Sequence, residues 1–188
     1  MGRRAPRILP APGTAPPFDS DAPTDDAPSL PPRDARRPDR RRPCGEGAVA
    51  VETIRVATSR RCELVELTDR VQALVAGAGV AEGMVSLQSL HTTAGLTVNE
   101  NADPDVPHDL LAKLERLVPQ REGYYRHAEG NSDSHLKTSF FGPTLVVLVS
   151  GGRLVLGQWQ GIWLAEFDGP RERRVAVQIL AAAGGGEA

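Results

Sequence analysis

All four histidines of the chain, His91, His108, His127 and His135, fall between positions 91 and 135. Imidazole is the side chain best suited to proton transfer and to metal ligation near neutral pH, so this stretch is where chemistry is expected. His91 closes a strand on its apolar parity, where a ring must be hydrogen-bonded or ligated to be tolerated. His127 and His135 bracket an Asn/Ser/Asp/Gly segment and can converge from either side of one turn. Neutral imidazoles meeting a carboxylate would suit zinc or another first-row divalent ion. His-x7-His is no metal signature by itself, and each ring taken alone is more commonly a satisfied core or surface histidine. His108 lies beside Asp109 on the polar flank of a helix, where Asp109 complements the positive helix N-terminus.

A second group of candidates sits near the C-terminus. Glu166 shares parity with Ile162 and Leu164, while Trp163, Ala165 and Phe167 make the other face of the same strand apolar. A carboxylate covered on both sides needs a cation or a proton. Arg171 and Arg173 share parity with Val175, Val177 and Ile179, so either could pair with Glu166 or hold a ligand's phosphate. Gln158-Trp159-Gln160 sets two amides beside an indole between Gly157 and Gly161, where a ligand or another subunit could approach closely. Asn99-Glu100-Asn101 reads as a turn or as part of a site.

Among the elements that carry these groups, Val51–Ala57 and Arg61–Glu66 read as strands joined in a hairpin. Thr68 caps a helix whose Val71, Leu74, Val75 and Ala78 recur at helical spacing until Gly77 and Gly79 stop it. Met84–Leu90 and Leu96–Val98 read as strands. Asp105 starts a second helix running to Val118, with Leu110, Leu111, Leu114 and Leu117 as its stripe. No period is visible from Pro119 to Thr138, which reads as a long polar loop. Thr144–Val149 and Arg153–Leu156 flank the hairpin signal Ser150-Gly151-Gly152. Trp159–Phe167 and Arg173–Leu180 complete a meander. The pattern predicts an α+β domain, compact and single, of mostly antiparallel β-sheet with two main helices.

The chain has 188 residues, and eleven of its sixteen prolines and nine of its twenty-two basic residues precede Gly47. Segment 1–47 has too few aliphatic side chains to offset chain entropy and is expected to be disordered, with 48–181 as the folded domain and 182–188 as a fray. Val49 or Val51 as a start codon would leave the segment untranslated. From Ala48 onward thirteen basic residues face seventeen acidic ones, the wrong balance for a nucleic-acid binder. No run long enough to span a membrane and no signal-peptide core is visible, so a cytoplasmic protein is expected. Two cysteines without CxxC spacing predict neither a disulfide framework nor a thiolate metal site.

In order, His91-Thr92-Thr93-Ala94, Asn99-Glu100-Asn101-Ala102-Asp103-Pro104-Asp105-Val106, His127, Ser134-His135-Leu136-Lys137-Thr138-Ser139 and Gly157-Gln158-Trp159-Gln160-Gly161 with Glu166 resemble the YjbQ-like family. Its members are commonly labelled secondary thiamine-phosphate synthase enzymes. The resemblance covers roughly Val51 to Leu180 and implies a compact α+β fold, a homotrimer with sites near subunit contacts, and a histidine–carboxylate cluster holding a divalent metal. The implied activity joins a hydroxymethylpyrimidine diphosphate to a thiazole phosphate, as a side reaction. No Walker A loop or dinucleotide fingerprint identifies that substrate pair independently.

On this basis His91, His127 and His135 are expected to hold zinc, manganese or magnesium. Lys137, Arg171 and Arg173 would neutralise a diphosphate, with Thr92, Asn99, Trp159 and Gln160 completing the contacts to a small phosphorylated molecule. Glu100 or Asp109 would orient a metal water or substrate amine, with Glu166 as a further catalytic carboxylate. The alternative is a non-catalytic metal- or small-ligand-binding oligomer, distinguished by whether the metal keeps an open coordination position.

Overall fold

The structure, a computed structural model, describes residues 51–183. Segment 1–47, expected to be disordered, and most of the expected fray lie outside the described residues. Eleven elements follow in order: β1 (Glu52–Ala57), β2 (Glu63–Glu66), α1 (Thr68–Ala78), β3 (Gly83–Ser89), β4 (Ala94–Glu100), α2 (Asp105–Leu117), α3 (Ser132–Phe141), β5 (Thr144–Ser150), β6 (Arg153–Leu154), β7 (Gln160–Glu166) and β8 (Glu172–Ala181). The fold is α+β, and every strand pair is antiparallel.

The strands form two sheets, one ordered β1-β8-β3-β5-β6 and a smaller one ordered β2-β7-β4. Their inner faces share one core. Ile54, Val56, Val85, Leu87, Val147, Val149, Val175 and Val177 come from the large sheet, and Leu96, Ile162 and Leu164 from the small one. Period-2 alternation put these side chains on one face of each strand. Val71 and Val75 of α1 pack into the same core. Gly79, at φ 66°, ends α1 in the left-handed conformation that glycine adopts without a Cβ penalty. Thr68 does not cap α1 through its side chain; its hydroxyl accepts the Ile162 N–H at 2.8 Å and fastens the helix to β7.

Three sequence-based expectations are corrected. β1 and β2 do not pair; β1 lies against β8 and β2 against β7. Residues Thr58 to Cys62 carry the chain from one sheet to the other, tied at Thr58 N–H to Arg171 O (2.9 Å) and at Gly169 N–H to Arg61 O (3.0 Å). Likewise β7 and β8 are consecutive but sit in different sheets, so the last strands are no simple meander. The third correction matters most for the site: the stretch expected as a polar loop contains α3. Its buried residues are Asp133, Ser134, Lys137 and Thr138, all polar, so no hydrophobic period announced it.

β7 is buried on both faces from Gly161 to its end, as is Phe167 just beyond it, as the composition implied, and the cover is supplied within the chain. α3 lies across β4, and the Phe141 ring meets Phe167 with centroids 5.2 Å apart. A row of large apolar side chains is left exposed on the outer face of the large sheet. Leu180, Met84 and Leu148 stand opposite one another across β8, β3 and β5, with Val155 alongside.

Candidate functional site

The segment between α2 and α3 and the first turn of α3 together bring His127 and His135 face to edge, with ring centroids 5.2 Å apart and planes at 70°. They border a cavity of about 620 Å³, lined also by Tyr124, Tyr125, Arg126, Ser132 and Leu136. That volume is in the range of small-molecule sites, and its walls combine apolar rings with a few polar groups, as such sites do. Glu129 Oε2 stands 4.0 Å from His127 Nε2. Tyr124, Tyr125 and Arg126 were not singled out from sequence, although the Tyr-Tyr-Arg run directly before His127 was the available signal.

α3 is fastened by charge. Asp133, fully buried, accepts two hydrogen bonds from the Arg61 guanidinium, both at 2.9 Å, and one from Lys137 Nζ at 3.0 Å. Lys137, whose side chain is 1% exposed, also donates to Glu115 of α2 at 2.7 Å. Ser134 Oγ donates to Phe167 O at 2.7 Å. Burial pushes the Asp133 carboxyl up, but Arg61 and Lys137 outweigh it and hold it below the usual carboxylate range. Burial pulls Lys137 down, and Glu115 and Asp133 outweigh that to keep it raised. Cys62, whose thiol burial pushes up, lies beside Arg61.

A second network joins the two sheets. Glu166 on β7 and Arg173 on β8, both buried, face each other across the core, with Arg173 Nε 2.6 Å and Nη2 2.5 Å from the carboxylate. Glu166 also accepts from Thr58 Oγ1 and from the Phe167 and Asp168 N–H groups, and Arg173 Nη2 donates to Thr93 Oγ1 at 2.9 Å. Every lone pair of the carboxylate is engaged by protein. His91 adjoins this network. Its Nε2 accepts the Arg174 N–H at 2.7 Å, and burial, with Arg173 and Arg174 nearby, holds its pKa below the usual histidine value.

The β4–β7 edge forms a third cluster. Register sets Asn99 opposite Gly161 and Glu100 opposite Gln160. Trp163 Nε1 donates to Asn99 O at 3.3 Å, and Asn101 N–H donates to Trp159 O at 2.9 Å. Asn101 packs so tightly on Gly161 that a Cβ there would lie 2.6 Å from its Nδ2. Trp159 is left 56% exposed.

The expected site residues are therefore divided among these places. His127 and His135 meet as expected. His91 does not join them; it is engaged at Arg174, and among the described residues no three His, Cys, Asp or Glu side chains converge as a metal site. Lys137 and Arg173, expected at a diphosphate, are buried against carboxylates, and Arg171 bonds to Asp168 O and Oδ2. Thr92 is exposed beside the buried Thr93. Asn99, Glu100, Trp159 and Gln160 share the sheet edge. His108 and Asp109 pair at 3.2 Å on the exposed flank of α2, and Asp109, expected to orient a metal water or substrate amine, does not line the His127–His135 cavity. Arg61 and Asp133 carry much of the polar architecture and were missed.

Fold and cavity together define an α+β two-sheet protein with a paired-imidazole, aromatic-lined cavity beside a polar-anchored helix. The family model for "UPF0047 protein YjbQ-like" matches residues 52–182, and the chain belongs to the YjbQ-like UPF0047 family. It is 41% identical over 130 residues to UPF0047 protein YugU of Bacillus subtilis, covering 69% of this chain and 98% of that one. UPF0047 protein MJ1081 of Methanocaldococcus jannaschii is 42% identical over 125 residues, 66% of this chain and 90% of its own. The crystal structure of a YjbQ/UPF0047-family protein from Clostridium acetobutylicum superposes with a TM-score of 0.67 at 43% identity, covering 69% of this chain and 99% of that one. Among the described residues no helix is long and apolar enough to cross a membrane.

Proposed function

We propose that this chain is a thiamine-phosphate-synthase-like transferase acting on a small phosphorylated molecule at the His127–His135 cavity, with the joining of a pyrimidine diphosphate to a thiazole phosphate as a side activity. The observation that carries this reading is the imidazole pair, 5.2 Å apart, bordering a cavity of about 620 Å³ with Arg126 on its wall. In such a transfer the thiazole nitrogen forms a bond to the pyrimidine's methylene carbon. The carbon–oxygen bond breaks, and its electron pair leaves with pyrophosphate. The Arg126 guanidinium supplies positive charge and the two imidazoles supply hydrogen-bonding nitrogens for the departing anion. Tyr124 and Tyr125 offer ring faces to a planar substrate.

The same reading makes the working form a homotrimer, supported by the exposed row Leu180, Met84, Leu148 and Val155, which a second copy would cover. The test is to supply purified protein with both phosphorylated substrates and follow pyrophosphate release by phosphorus NMR, with light scattering for the assembly. His127→Ala and His135→Ala are expected to lower turnover by about 100-fold, the scale of general acid–base and charge stabilisation. Ligand-induced thermal stabilisation with no turnover in wild type would select the non-catalytic small-ligand-binding oligomer instead. Zinc, manganese and magnesium belong in the same titration, and a stabilising ion would assign the remaining donors to solvent, substrate or another copy.

A further inference from the structure

Most helices of a small domain are placed by an apolar stripe, and α3 is not. Its buried side chains are Asp133, Ser134, Lys137 and Thr138, while Leu136 and Phe140 are exposed at 44% and 67% and the half-buried Phe141 at its end supplies the apolar contact, to Phe167. Apolar burial is non-directional, whereas ion pairs with hydrogen-bond geometry fix both distance and angle. Asp133 is gripped through both carboxylate oxygens by the planar Arg61 fork, a bidentate contact that fixes the azimuth of the first helical turn. One turn later Lys137 reaches back to the same carboxylate and outward to Glu115, so α2 and α3 are clamped through a single ammonium. The four groups sum to zero charge, two cations against two carboxylates, with Asp133 and Lys137 buried at the centre and Arg61 and Glu115 reaching toward solvent. His135 lies between Asp133 and Lys137 in sequence and projects from the helix toward His127 instead of into this cluster.

We propose that Arg61, Asp133, Lys137 and Glu115 are positioning residues: their linked ion pairs hold α3 at the azimuth that sets the His135 ring against His127. Lys137 acts through the helix it orients and does not touch a ligand. α2 is tied in by Glu115, although no residue of α2 is fully buried along Asp105–Leu117. The importance of this role rests on the imidazole cavity being the working site, but ring geometry is read without turnover, so a failed transferase assay leaves it standing.

The experiment uses full-length protein with labelled histidines and reads the imidazole NMR signals and the NOE between the His127 and His135 rings. Asp133→Asn and Lys137→Met are expected to abolish that NOE and shift both rings, leaving His91 and His108 in place, and Lys137→Arg is expected to restore it. Ile54→Val, a core truncation away from α3, lowers stability as a control and is expected to leave the NOE intact. Should the buried variants not fold, Glu115→Ala alters only the 55% exposed end of the cluster and is expected to shift His135 while His91 stays fixed. A folded Asp133→Asn with wild-type ring signals and NOE overturns the proposal, as does an unshifted His135 in Glu115→Ala.

Discussion

Glu166→Gln separates a structural carboxylate from a catalytic one. Glu166 accepts five hydrogen bonds: from Arg173 Nε at 2.6 Å and Nη2 at 2.5 Å, Thr58 Oγ1 at 3.0 Å, Phe167 N–H at 2.9 Å and Asp168 N–H at 2.8 Å. Glutamine keeps the volume but offers one oxygen and one NH2. In one orientation the NH2 faces Arg173 Nη2 and the two backbone N–H groups; in the other it faces Arg173 Nε and Thr58. Either way donors meet donors, and the Arg173 guanidinium, itself 4% exposed, loses its counter-charge. Breaking a buried pair in this manner costs roughly 3–5 kcal/mol. For a domain of this size that lowers Tm on the order of 10–20 °C. Far-UV circular dichroism melts and urea titrations measure it. Replacing both partners, Glu166→Leu with Arg173→Leu, is expected to recover a large share, because neither charge is then stranded. If Glu166→Gln melts within about 3 °C of wild type, the pair is not what joins the sheets. Loss of turnover at unchanged stability would instead make Glu166 a catalytic carboxylate.

Two further outcomes follow from the geometry. The folded state holds His91 below its ordinary value of 6.5, so the unfolded chain takes up a proton first and stability falls as pH drops below about 6.5. His91→Gln, which keeps an acceptor for the Arg174 N–H, is expected to flatten this slope; urea unfolding at about pH 7.5 and about pH 5.5 decides, and a slope identical to wild type refutes it. Gly161→Ala drives a Cβ to 2.6 Å from Asn101 Nδ2 and 2.8 Å from Asn101 Cβ, which is expected to cost about 1–3 kcal/mol, with Asn101→Gly restoring part of it. An unchanged denaturation midpoint for Gly161→Ala would show that this close approach does not constrain the β4–β7 edge.

Much of the framework was legible because alternation is a local signal. Val85 and Leu87, Val175 and Val177, and the doubly apolar β7 all declared their faces, and parity marked Glu166 as needing a cation while leaving Arg171 and Arg173 both open as its partner. α1 was legible from Val71 and Val75 together with its terminal glycine. The imidazole pair was legible in outline, since His127 and His135 flank one short segment. The ordered motifs carried the family as well, which the match over residues 52–182 bears out.

What the tertiary structure decided is what depends on partners distant in sequence. α3 has no apolar period because its buried face is satisfied by Arg61, 72 residues before Asp133, and by Glu115 on α2. The same holds for the separation of β1 from β2 and of β7 from β8 into different sheets, since strand propensity marks a strand without naming its partner. It holds too for the cations expected at a phosphate. Composition marks Lys137 and Arg173 as positive, but only the fold turns them inward against carboxylates and leaves Arg126 on the cavity wall. Residue type is written locally; a charge acquires its task from the partner that long-range packing sets beside it.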